Sequence, residues 1–363
     1  MRKLAFAGTA ALAVSSTLLA LGGQAVAVDP TAGPVVGHVY QPTNAAAGNA
    51  IAVFDRHADG SLTGAGSVPT GGLGTGASLA SQGAIVRDGR LLFVVNAGDD
   101  TISALRVRGS KVVVADRIAS GGDRPVSITV HDGVGYVLNH DSDTIVGFTY
   151  DGSGDLHRLR GSHRDLTANP AGGLTDAAQV EFSPSGRTLA VTERGSNAID
   201  TFRVQGAYAG QATSHASAGL VPYGFDFDRR GTLVVSEAAS GSASSYRVAP
   251  GFRSITEALG DTQAAACWLV ISGDYAWVVN AASASISSYR IAADGSLTLV
   301  EAVAAGTGAG PTDAAVAPDG GSLHVRMRDG SVSSFTIGAG GSLTPAGSAF
   351  VATAFGVAGL VAD

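Results

Sequence analysis

The chain has 363 residues, a formal net charge of −7, a single cysteine and 51 glycines. The negative balance argues against nucleic acid and anionic membrane surfaces as partners, and the lone Cys267 excludes an intrachain disulfide. The length suffices for a large buried core, and the glycine content, about twice ordinary usage, points to many tight turns.

In chain order the first element is a leader. Met1-Arg2-Lys3 is basic, Leu4 to Leu21 is apolar, and Ala25-Val26-Ala27 is a small-residue cleavage site. This predicts a signal peptide over 1–27 and a secreted mature chain from Val28, released or kept in the cell envelope. The competing reading is a retained N-terminal anchor. No later apolar run is long enough to span a bilayer. Loss of Arg2 and Lys3 takes the net charge to −9. Residues 28–363 are expected to form one domain and a monomer.

A repeat follows. A short apolar strand ends in Asn or Glu, and an aromatic or Leu stands nine residues on. Phe93-Val94-Val95-Asn96 precedes Leu105, and Tyr136-Val137-Leu138-Asn139 precedes Phe148. Leu189 to Glu193 precedes Phe202, Leu233 to Glu237 precedes Tyr246, and Trp277 to Asn280 precedes Tyr289. Looser copies place Val39-Tyr40-Gln41 before Phe54 and Leu323 to Met327 before Phe335. The seven second anchors are spaced by 51, 43, 54, 44, 43 and 46 residues. Short strands at this period predict an all-β, seven-bladed β-propeller. Each blade is expected to have four strands, lettered a to d from the axis outward. Turns such as Asp88-Gly89 and Pro318-Asp319-Gly320 join a to b, and Asp59-Gly60-Ser61 and Asp294-Gly295-Ser296 join c to d. The chain enters at a strand b, Val35 to Gln41, and ends in a lone strand a, Phe355 to Val361. The C-terminal strand is therefore expected to complete the first blade and close the ring. The b–c and d–a loops share the face where inner strands begin, and that face is the default ligand site.

Strands ending in Val-x-Asn, the stretch Pro125-Val126-Ser127-Ile128, and the turns Ser183-Pro184-Ser185-Gly186 and Pro318-Asp319-Gly320 resemble the secreted Tyr-Val-Thr-Asn-repeat and lactonase propellers. That superfamily includes 6-phosphogluconolactonase-like and carboxymuconate-lactonizing-type proteins. The resemblance covers nearly all of Val35 to Asp363 and implies chemistry on small lactones. The lactonase branch carries Pro-His-x-His before a Ser-Pro-Asp-Gly turn and Asp-x-Gly after strand b. Here Asp176 and Ala178 occupy the two His positions, while Glu193 and Gly195 match the acidic and Gly positions.

No Gly-x-Ser-x-Gly, His-Glu-x-x-His or phosphate-loop motif is present. The candidate site therefore rests on scattered polar residues of the loop-rich face. Asp176, Gln179, Glu193 and Arg194 form the catalytic candidates on one blade. Arg124, His140, Asp313 and Trp268 are the ligand-binding candidates. A carboxylate can take a proton, Arg can hold an anion, and His titrates near neutrality. Each has a plainer reading. Glu193 and Glu237 stand in the slot of Asn96, Asn139 and Asn280, which caps backbone groups of the b–c loop. Trp268 stacks on a ligand or plugs the channel. Cys267 is a small buried hydrophobe. Asp99-Asp100 and Asp141-Ser142-Asp143 are Asx turns in preference to calcium loops, so no metal and no cofactor is expected. Three functions fit: a secreted propeller binding a small anionic molecule, a lactone-opening or lactonizing enzyme using Glu193 and Arg194, and a surface module for an extracellular protein or glycan.

Overall fold

Seven antiparallel sheets are arranged as blades around a common axis. The structure is a computed structural model and describes residues 33–109, 111–308, 310–351 and 359–363. The leader 1–27, the cleavage point after Ala27 and the first part of the closing strand, Phe355 to Ala358, lie outside the described residues. The inner strands are Val361–Ala362, Ile85–Asp88, Pro125–His131, Ala177–Phe182, Pro222–Phe227, Ala266–Ser272 and Pro311–Val316, for blades one to seven. Six blades have four strands. The outer strand of the third is broken into Leu156–Arg158 and Arg164–Asp165. Among the described residues the one helical element is a 3-10 turn at Ala339–Gly341, and no helix is long and apolar enough to cross a membrane.

The burial pattern follows from blade packing. Strand b lies in the middle of each sheet and is covered on both faces, so Leu91–Asn96 and Thr232–Glu237 are buried at every position. A run with no polar alternation is what two covered faces demand. The outer strand Lys111–Ala119 instead alternates between covered and open positions. All seven second anchors, Phe54, Leu105, Phe148, Phe202, Tyr246, Tyr289 and Phe335, are buried to 2 % exposure or less. The c–d turns repeat one device. Asp59, Asp151 and Asp294 each accept both the N–H and the hydroxyl of a Ser two residues on.

Among the described residues, two residue pairs between strands and several side chains close the ring. Val39 faces Ala362 and Tyr40 faces Val361 in antiparallel register. The Asp363 N–H donates to His38 O at 2.8 Å, and Tyr40 donates its hydroxyl to Asp363 at 3.1 Å. Fully buried Arg326 donates to Pro42 O at 2.7 Å and to Gly359 O at 3.3 Å, tying the seventh blade to both halves of the first. Arg328 lies past that strand and is exposed.

The axis is not an open pore. Before the short inner strand of the second blade, the chain turns inward through Ala80 and Gly83, both with positive φ. Gln82 then reaches the sixth blade, donating to Leu269 O at 2.7 Å and accepting from Leu269 N at 3.0 Å. Its own N–H donates to Ala178 O on the fourth blade. Trp268 donates its indole N–H to Ser81 O at 3.0 Å. Beyond this plug a cavity of about 320 Å³ runs along the axis, walled by Ile85, Ile128, Val270, Ala315 and Val361, with Glu181 and Asp226 side by side.

Replacing Arg326 by Leu leaves two carbonyls and the Asp313 carboxyl buried without their cation. The expected cost is about 3–5 kcal/mol, read as a lower urea midpoint. An unchanged midpoint refutes this account of closure.

Candidate active site

Each inner strand from the third blade to the sixth starts with a positive-φ residue and a bulge: Arg124, Asp176, Val221 and Ala265. Its carbonyl accepts the N–H of the first residue after strand b, which is His140, Arg194, Ala238 and Ala281 in turn. These two slots therefore meet on every such blade at the loop-rich face. In blades five and six both are apolar. In blades three and four all four residues are polar or charged, and they converge.

His140 holds the centre of the group. Its Nε2 lies 2.8 Å from Asp176 Oδ1, and its Nδ1 lies 2.9 Å from Asp141 Oδ1 and within contact of the Arg124 guanidinium. Arg194 donates to Asp176 Oδ1 at 2.6 Å and to the Asp176 carbonyl at 3.1 Å. Arg124 donates to Asp141 at 2.7 Å. The His140 bond and the Arg194 charge hold the Asp176 carboxyl below the usual range, against a smaller effect of burial. Burial pushes Asp141 upward, but the bonds from His140 and Arg124 outweigh it. Both acids are thus anionic at neutral pH. The Arg194 guanidinium lies over the Tyr223 ring at 5.1 Å, and that ring meets Trp268 edge-on at 5.5 Å.

Arg can only donate, so Nδ1 must present its lone pair to Arg124, and the proton of the neutral ring sits on Nε2 facing Asp176.

The other predicted residues lie apart from this group. Glu193 is fully buried beneath it and accepts the Ser196 hydroxyl. The slot it shares is a capping hub elsewhere. Glu237 accepts from Ser217, Gly219 N, Ser242 and Ser244, and Asn96 and Asn280 bond serines in the same register. Asn139 fills that slot with no side-chain partner. Seven positions after the slot stand Ser103, Ser244 and Ser287, but the fourth blade has Asp200. Burial and the Asp200 charge push Glu193 up to about 9, so its carboxyl is protonated at neutral pH. Gln179 splices two blades, bonding both Phe225 N and Phe225 O at 2.8 Å. Asp313 is buried and accepts from Ala314 N and Gly359 N. Burial pushes it up to about 7, against those bonds and Arg326. Trp268 belongs to the plug, and burial pushes the Cys267 thiol up to about 12. Among the described residues no cluster of three or more His, Cys, Asp or Glu side chains could hold a metal.

A family described as lactonase, 7-bladed beta-propeller matches residues 47–169 and 161–262, more than half of the chain. The chain belongs to that family. Solved structures agree on the lactonase-family fold. A periplasmic gluconolactonase of Pseudomonas aeruginosa superposes with a TM-score of 0.68 at 18 % identity, covering 89 % of this chain and 98 % of its own. A Lactobacillus plantarum protein gives 0.72 at 17 %, covering 90 % and 99 %. A candidate 6-phosphogluconolactonase of Bacteroides fragilis gives 0.68 at 19 %, covering 90 % and 98 %. A search of curated proteins finds no significant match.

The proton held by Glu193 has a measurable effect. Folded, the carboxyl keeps its proton to about pH 9; unfolded, it loses it near the ordinary 4.5. The folded state binds the extra proton across that window, so stability falls as pH rises through it and levels off above. Glu193→Gln should remove this contribution, flattening the stability profile by up to ~1.4 kcal/mol per pH unit. Parallel profiles for the two proteins in urea unfolding would contradict the assignment.

Proposed function

We propose that this lactonase-family propeller opens a small anionic lactone at the His140 group. The observation that carries this is the 2.8 Å contact of His140 with Asp176. The chain lacks the two histidines that the lactonase branch carries at positions 176 and 178, and His140 reaches the first of them from the neighbouring blade. An imidazole thus stands beside the residue that replaced the usual one.

In this reading Asp176 orients the ring and keeps the proton on Nε2, as a carboxylate does for a catalytic histidine. Arg124 swings from Nδ1 to the anionic group of the substrate. The freed Nδ1 takes a proton from water as the water oxygen bonds to the lactone carbonyl carbon. Arg194, fixed by Asp176 and the Tyr223 face, neutralises the developing oxyanion. The ring C–O bond then breaks, and Nδ1–H returns its proton to the leaving alkoxide, giving a hydroxy acid. Asp141 steadies the imidazolium between the two transfers. Glu193 takes no part, since it is buried and protonated.

A second reading, a non-catalytic binding propeller, draws on the fact that both ring nitrogens of His140 already have partners. We further propose that residues 28–363 act outside the cytoplasm as one monomeric domain, on the strength of the leader sequence.

The test is base-titrated hydrolysis of neutral, phosphorylated and carboxylated lactones. Turnover is expected on an anionic lactone. His140→Asn should lower kcat by about 10²–10⁴-fold, while Glu193→Gln should leave it within a few-fold. No turnover from folded protein on any lactone discards catalysis and leaves the binding reading.

A further inference from the structure

The face opposite the His140 group carries a concentration of positive charge that the lactone reading does not use. Between the first two blades lies a cleft of about 470 Å³, lined by His38, Arg87, Arg90, Val107, Arg108, Gly109 and Asp363. Topology brings the arginines together. Arg87 lies next to the end of the inner strand of the second blade and Arg90 follows in the a–b turn, while Arg108 stands at the c–d turn of the same blade. All three therefore project from one end of one sheet.

Their neutralisation is incomplete. The one carboxylate in the cleft is Asp363, and it is divided among many donors. Arg87 approaches it at 3.3 Å, His38 Nδ1 at 3.3 Å and the Tyr40 hydroxyl at 3.1 Å, and the His38 N–H donates to it as well. Of the other nearby acids, Asp55 lies 3.5 Å from His38 Nε2 and Asp88 is turned to the third blade, where it accepts the Tyr150 hydroxyl at 2.6 Å. Arg90 and Arg108 have no acidic partner among the described residues. The Nε–H of Arg87 is buried and makes no hydrogen bond. A buried donor without an acceptor carries an uncompensated desolvation cost, and such a group calls for a bound partner. Three guanidiniums gathered in a chain of net charge −7 also repel one another. A group with two or three acceptor oxygens removes both penalties, because the guanidinium fork matches carboxylate and phosphate geometry. The volume lies within the range of small-ligand sites.

We propose that this cleft between the first and second blades binds a small oxyanion, phosphate or carboxylate, through Arg87, Arg90 and Arg108. The site is independent of the lactone chemistry, since the two lie at opposite ends of the propeller.

Isothermal titration of the protein with inorganic phosphate and with acetate, at constant ionic strength against a chloride control, tests it. At least one oxyanion should bind with a Kd of about 1 mM or tighter, and the stronger of the two arms names the preferred class. The double variant Arg90→Gln, Arg108→Gln, altered only at exposed positions, should keep the wild-type melting temperature in chloride and lose at least ~10-fold in affinity. Equal affinity in the variant, or no heat from either anion above the chloride control, overturns the proposal.

Discussion

Every blade buries its second strand on both faces, and this demand organises the molecule. A strand such as Leu91–Asn96 has no polar side to show to water, so each sheet needs a neighbour on either side. A row of sheets satisfies that only by closing on itself, which also removes the open end sheets. Closure is then the weak point of the design, because the first blade is built from two ends of the chain. The structure concentrates polar contacts there. Arg326, Asp313 and Asp363 are all buried or half-buried, and each bonds backbone on another segment. Charges that would be costly inside a core hold the two ends of the chain in register.

Repetition makes deviation informative. The slot at the end of strand b is a capping position, as the Glu237 hub demonstrates. An acid there is no sign of chemistry. What marks the fourth blade is the second acid, Asp200, at the register of Ser103, Ser244 and Ser287. Together with burial, its charge pushes the capping carboxyl up to about 9. The same comparison isolates the candidate active site. The d–a and b–c slots are apolar in blades five and six and polar in blades three and four. The scaffold supplies the positions, and departures from the repeat supply the chemistry.

The two ends of the axis differ in character. At the loop-rich end the plug of Ser81 to Gly83 and Trp268 closes the channel and gives the His140 group a solid floor through Tyr223. At the other end the cavity stays open past Glu181 and Asp226, and Arg87 lines both it and the basic cleft beside it. The His140 group and a bank of arginines are thus separated by the height of the propeller.

The fold was legible because its signals are local. Strand period, turn chemistry and anchor spacing lie within one repeat, and they determined blade number, strand order and the role of the C-terminal strand. The shared face of four candidate residues, Arg124, His140, Asp176 and Arg194, was legible as well, since loop position assigns them to it. Their meeting was not. His140 and Asp176 are 36 residues apart and touch because adjacent blades bring equivalent slots together. Gln179, Asp313 and Trp268 stand at similar inner-strand starts, yet each is drawn into a contact with another blade that the sequence does not display. Glu193 was read from its neighbours in the chain, whereas its protonation depends on Asp200 and on burial. The sequence by itself determined which residues repeat and on which face each lies, because these follow from local periodicity. Only the tertiary structure decided which acid is held protonated, which groups plug the axis and which polar groups meet, because those depend on distances between blades.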